Sequence, residues 1–163
     1  MARRRDYIPI NPTKYSGSYP ITLKSSWEEE FARIHCDLNP LCLEWAYEAI
    51  KIPYNDPTAD PVRYPKGKQT IYVPDFLMSF QGNNGRIRTA LVEIKPLHET
   101  LLEHARNDKD RMAIMKNYAK WEVAIGWCRR RNGVEFVILT EAQLFGEEEK
   151  PKKAPTKRRI KKS

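Results

Sequence analysis

The chain has 163 residues, 40% hydrophobic and 31% charged, with a net charge of +8, which suits one soluble domain with tails rather than several domains. No stretch approaches the roughly 20 apolar residues of a membrane span, and no apolar run follows the basic Met1–Asp6 segment as a secretory signal requires. Cys36, Cys42 and Cys128 are too few and too scattered for a disulfide framework and none lies in a Cys-x-x-Cys pair, which argues against a zinc ribbon, and a reducing, intracellular setting fits best.

Residues 1–20 mix Arg, Tyr, Gly, Ser and Pro and read as an extended basic arm rather than a packed element. A helix then opens at Ser25 or Ser26, with Glu28 or Glu29 three residues on as the partner in a capping box. Trp27, Phe31, Ile34 and Leu38 give it one apolar face, and Asn39-Pro40 ends it. Ile50, Ile52 and Tyr54 alternate as a strand, and residues 55–70 form a loop rich in Asn, Asp and Pro. Two further strands, Tyr72–Phe80 and Arg88–Lys95, flank Asn83-Asn84-Gly85, a three-residue hairpin loop with glycine in the left-handed position. A long helix is predicted over Lys109–Arg131, with Ile114, Tyr118, Trp121, Ile125 and Cys128 on its buried stripe. Val134–Leu139 reads as a buried strand, and Thr140 with Gln143 as the start of a short last helix. This order indicates a mixed α/β domain over residues 21–146. Residues 147–163 read as a disordered basic tail: eight Lys and Arg follow Glu147–Glu149 without another acid. Such a tail either binds nucleic acid through its phosphates or is a solvated end.

With Asn83–Gly85 as the loop, Gly82 faces Arg86 and Leu77 faces Leu91. Asp75 then stands opposite Glu93, about 5 Å away at Cβ, and Lys95 shares their face. Phe76, Met78, Phe80, Ala90, Val92 and Ile94 form the other, apolar face. Two carboxylates and a lysine on one patch are either a cross-strand salt bridge on a solvated sheet face or a site in which the two carboxylates bind a hard divalent cation beside the lysine. Such a cation activates phosphodiester hydrolysis, with the lysine orienting water or offsetting phosphorane charge.

Tyr72-Val73-Pro74-Asp75-Phe76 followed by Leu91-Val92-Glu93-Ile94-Lys95 resembles the signature of the PD-(D/E)XK nuclease superfamily, and Ser25-Ser26-Trp27-Glu28 resembles its upstream acidic helix. The ordered set extends through Asn39-Pro40, Glu44-Trp45, Ile52-Pro53-Tyr54, Pro96 and Ala119-Lys120-Trp121-Glu122. It is most similar to tailed-phage head-completion nucleases and TnsA-type transposon endonucleases. The resemblance implies a restriction-endonuclease-like α/β fold, with a mixed central β-sheet flanked by α-helices. It implies a Mg²⁺-dependent deoxyribonuclease of endonuclease type, with Mn²⁺ able to substitute. Asp75, Glu93 and the Ile94 carbonyl resemble the metal ligands, Lys95 the catalytic lysine, and Glu28 the helix acid that reaches the metal or its water. For Glu28, closing the capping box is the plainer role. Glu48 is an extra candidate at the edge of the first strand. Lys116, Lys120, Arg3, Arg4, Arg5, Lys157, Arg158 and Arg159 are the expected DNA contacts, although Lys116 and Lys120 also suit a solvated helix face. The implied partners are DNA and phage portal or neck proteins, in the cytoplasm of an infected bacterium or in the virion. A transposition or junction-resolving endonuclease, and a non-catalytic DNA-binding or head-structural protein, are the alternatives. Trp121 and His35 read as structural. His98 and His104 lack metal-ligand spacing, and no Gly-rich phosphate loop suggests ATP use.

Overall fold

The computed structural model describes residues 5–146. The expected DNA contacts Arg3, Arg4, Lys157, Arg158 and Arg159, and the tail 147–163, lie outside the described residues.

The central sheet has four strands: β3 (Cys42–Tyr47), β6 (Phe76–Gln81), β7 (Ile87–Ile94) and β8 (Val134–Leu139), adjacent in that order. The β3–β6 and β6–β7 pairs are antiparallel and β7–β8 is parallel, so the sheet is mixed. Two ribbons accompany it: β1 (Arg5–Tyr7) with β2 (Ile21–Leu23), and β4 (Ile52–Asp56) with β5 (Lys68–Tyr72). Helix α1 (Ser26–Glu30) precedes the sheet. Helix α2 (Asp108–Arg129) lies in the crossover that the parallel β7–β8 pair needs, and α3 (Glu141–Phe145) closes the described chain.

The β6–β7 hairpin has the register expected from its turn. Leu77 pairs with Leu91 and Ser79 with Thr89, Gly82 N–H donates to the Arg86 carbonyl at 2.8 Å, and Gly85 sits at φ 75°. Its two faces enter two separate cores. Phe76, Met78, Ala90, Val92 and Ile94 pack with Ile21, Leu23, Phe31 and Trp45. Leu91 packs on the other side with Ile52, Tyr54, Tyr72, Trp121, Ala124 and Cys128. The face that carries the acids is therefore largely covered by α2 and the β4–β5 ribbon, with Asp75 and Lys95 left partly exposed.

Four expectations are corrected. The leader is packed, not an extended arm: residues 5–7 pair with β2, and Tyr15 is buried against Trp45, their rings 4.6 Å apart. The strap is tied down by Asp37, which is fully buried and accepts from Tyr7 O–H at 2.5 Å and from the Ile10 and Asn11 N–H groups at 2.7 and 2.9 Å. The helix after Ser25 becomes a π-helix over Phe31–Asp37. Five-residue spacing then buries Phe31 with Cys36 and Ala32 with Asp37, while Ile34 and Leu38 turn outward. On α2 the buried stripe runs through Ile114, Asn117, Trp121, Ala124 and Cys128, and Tyr118 and Ile125 are exposed. An apolar-only count missed it because a small residue and an amide complete the stripe. Finally, Tyr72–Phe80 is two strands, because Pro74 has no N–H to give a ladder.

That break matters for the site. At Val73-Pro74-Asp75 the chain leaves the β4–β5 ribbon and enters the central sheet, leaving Asp75 at the joint. Strand β3 had no sequence signal of its own: its burial does not alternate, and its register slips between Cys42 and Glu44.

Candidate active site

Asp75 stands one residue before β6, and the Ile94 N–H donates to its Oδ2 at 2.7 Å. Its own carbonyl accepts from Glu48 N–H at 2.8 Å, which fixes the joint from the β3 side. Glu93, at the end of β7, is only 6% exposed, and Tyr72 O–H donates to its Oε2 at 2.6 Å. Lys95 Nζ lies 3.8 Å from Glu93 Oε1. The two strand acids and the lysine thus meet at one end of the central hairpin.

Glu28 comes from α1 and is 7% exposed. Ser25 Oγ caps the helix by accepting from Glu28 N–H at 3.1 Å, but the Glu28 carboxylate does not return to the Ser25 N–H. Its Oε2 accepts from Lys24 N–H at 2.7 Å and from Tyr47 O–H at 3.0 Å. Glu29 instead faces outward, 3.6 Å from the Arg5 guanidinium. Arg5 therefore sits at the surface of α1.

Lys24 reaches back to Glu48, its Nζ 2.5 Å from Oε1, and it feels the charges of Glu28 and Asp75 as well. Glu48 holds a left-handed backbone at φ 48°, an unusual conformation for a residue with a side chain. Tyr47 and Tyr72, each donating to one acid, and Lys24 were not anticipated as site residues. The only sequence signal was a tyrosine three residues before Asp75.

Burial, and then the charge of Glu93, push the Asp75 carboxyl well above the usual carboxylate range; Glu28 adds to this, and Ile94 N–H and Lys95 oppose it. Burial likewise raises Glu93, against the Tyr72 hydroxyl, Lys95 and Lys120. Burial and the neighbouring glutamates push the Tyr72 and Tyr47 phenols far up, so both remain donors. Lys120 joins the cluster from α2: its ammonium lies 5.7 Å from the Tyr72 ring centre and 6.0 Å from that of Tyr54. Burial, with Lys95 next, lowers its pKa. Lys116 is held elsewhere, 3.4 Å from Asp56 Oδ2.

Among the described residues no three acidic, histidine or cysteine side chains close into a metal cage. Mg²⁺ does not need one, since it keeps several waters and takes one or two carboxylates plus substrate phosphate. The donor set fits that demand. Burial raises both Asp75 and Glu93, with the charge of Glu93 adding at Asp75 and that of Glu28 at both, and with Glu28 and Glu48 the two acids outnumber Lys24, Lys95 and Lys120.

A family described as TnsA-like endonuclease N terminal matches residues 39–141. No curated protein and no solved structure matches the chain significantly. The matched segment contains Asp75, Glu93, Lys95, Lys116 and Lys120, and it begins after Glu28. The mixed sheet with flanking helices is the architecture this family's nuclease fold requires. The chain accordingly belongs to the TnsA-like endonuclease N-terminal family, a family of PD-(D/E)XK-type nucleases.

Proposed function

We propose that the protein is a divalent-metal-dependent DNA endonuclease whose centre is Asp75, Glu93 and Lys95, completed by Glu28. The observation that carries this reading is the convergence of half-buried Asp75 and buried Glu93 beside Lys95 at one end of the central hairpin, inside the family segment. A Mg²⁺ or Mn²⁺ ion held by Asp75, Glu93 and the Ile94 carbonyl would polarise the phosphodiester and lower the pKa of attacking water. Ile94 N–H and Tyr72 O–H hold the two carboxylates in fixed positions. Lys95 orients the attacking water or donates to the phosphate oxygen on which charge grows. Glu28, fixed by Tyr47, accepts a proton from that water. Lys120 and the basic termini neutralise backbone phosphates. The role proposed is processing of packaged DNA ends at the portal of a phage head before tail joining, within an infected bacterium or its virions. Among the described residues no helix is long and apolar enough to cross a membrane. A transposition endonuclease of the same fold is the second reading, favoured by the family matched.

Circular and linear duplex DNA incubated with Mg²⁺, Mn²⁺ or EDTA tests this. Metal-dependent cutting of circles is expected. Inactivity on every DNA form with both metals would leave a non-catalytic DNA-binding or head-structural protein.

Glu28→Gln is expected to lower cleavage by about 10²-fold, the lower range for losing a positioned proton acceptor. Glu29→Gln, at a surface ion pair, is expected to change it less than twofold. The amide oxygen still accepts from Lys24 N–H and Tyr47 O–H, so thermal melting of the two variants is expected to agree with the parent. Equal rates in the two variants would remove Glu28 from the site.

Deleting residues 150–163 removes eight cations. If about half of them meet phosphates, the slope of log K against log[salt] drops in magnitude by about 3 to 4, at ~0.9 per contact. Cleavage at low salt is expected to survive. An unchanged slope in a titration across salt concentrations would mean that the tail does not touch DNA.

A further inference from the structure

Glu93 does not present its two oxygens equally. Oε2 accepts the Tyr72 hydroxyl at 2.6 Å, within the short range of charge-assisted O–H···O⁻ bonds, whereas Oε1 has only Lys95 at 3.8 Å. The phenol is not free to leave. Tyr72 is 3% exposed, its backbone pairs with Ile52, and the Lys120 ammonium lies 5.7 Å from its ring centre. Asp75 is restricted similarly, its Oδ2 engaged by Ile94 N–H at 2.7 Å. Each strand acid therefore has one oxygen tied to the protein and one left to offer.

This asymmetry discriminates between cations. Mg²⁺ is small, demands near-octahedral geometry and takes carboxylates one oxygen at a time, while Ca²⁺ accepts higher coordination and readily takes both oxygens of one carboxylate. We propose that Tyr72 is a positioning residue that limits Glu93 to one ligating oxygen and thereby selects Mg²⁺ against Ca²⁺. The inference rests on the metal-dependent reading above and adds selectivity to it.

The test is thermal melting of the full chain, without DNA, across MgCl₂ and CaCl₂ titrations, for the parent and Tyr72→Phe. The variant keeps the ring and its contact with Lys120. Losing a hydroxyl that orients a ligand costs about 10- to 100-fold in metal affinity. Mg²⁺ affinity is expected to fall by about that factor. Ca²⁺ affinity falls less, because Oε2 is released to bind it, so the Mg²⁺-to-Ca²⁺ affinity ratio drops at least about fivefold. An unchanged ratio overturns the role of Tyr72 and leaves the metal site standing. A parent chain stabilised by neither cation overturns both. Carboxylate infrared bands of the metal-loaded parent, assigned by difference from Glu93→Gln, give a second readout that does not depend on Tyr72→Phe folding. One-oxygen coordination by Glu93 with both cations is expected, and two-oxygen coordination in the parent overturns the proposal.

Discussion

Alanine at Asp75, Glu93 or Lys95 is expected to lower DNA cleavage by about 10³-fold or more in each case. A preorganised charge at a reacting phosphate contributes on that scale, and groups of one catalytic centre act as a unit, so under the proposed function double variants should be little worse than single ones. The fold is expected to survive, because the two acids oppose the apo structure rather than support it. Asp75 and Glu93 are both raised by burial before any other cause. A carboxyl raised in the folded state favours folding while it is protonated. That contribution is lost as pH climbs from about 4, the ordinary carboxylate value, through the raised one. Asp75→Asn keeps an acceptor for the Ile94 N–H and removes the charge. In EDTA its melting temperature should fall less between pH 5 and pH 8 than that of the parent, and Mg²⁺ should stabilise it less. Cleavage assays with melting curves in parallel separate these effects. A parent-like rate in either carboxylate variant would exclude that residue from the centre.

The largest loss of stability is expected at Asp37. Its carboxylate, fully buried, gathers Tyr7 O–H and the Ile10 and Asn11 N–H groups, and binds residues 7–11 of the leader to the end of the π-helix. Lys14 Nζ caps that same end, donating to the carbonyls of Cys36, Asp37 and Asn39 at 2.8, 2.9 and 2.8 Å. Alanine at 37 leaves three donors without their shared acceptor. Breaking such a buried charged network costs about 3 to 5 kcal/mol, which is about 10 °C in melting temperature for a domain of this size. Limited proteolysis should then cut within the first 20 residues before the body. The sign with pH is opposite to that at Asp75. Burial pushes the Asp37 carboxyl up, but the donated hydrogen bonds outweigh it and hold it below its ordinary value. Its contribution is therefore present above about pH 4 and disappears as pH falls through the folded value. Asp37→Asn should flatten this acid limb. A variant melting within 2 °C of the parent would mean that the strap is held elsewhere.

Local chemistry was sufficient for part of this molecule. The Asn83-Asn84-Gly85 turn and the alternation on either side of it set the hairpin register, because a one-residue slip would exchange the faces of every side chain. That register placed Asp75 and Glu93 together, and helix signals located α2, α3 and the start of α1, since caps and periodicity act within a few residues. Three things were settled only by tertiary packing. Whether the acid-bearing face is wet depends on α2 and the β4–β5 ribbon, which cross it from elsewhere in the chain; covering it is what desolvates and raises the two acids. The π-helical widening buries Cys36 and brings Asp37 to the leader strap. Neither its five-residue spacing nor the strap's attachment to Asp37 is written in an apolar pattern. Tyr47, Tyr72 and Lys24 reach the site from a strand without alternation, a strand broken by Pro74, and the residue before a helix cap. Their hydroxyl and amide donors gain meaning only beside a buried carboxylate, and separate folded segments bring those partners together.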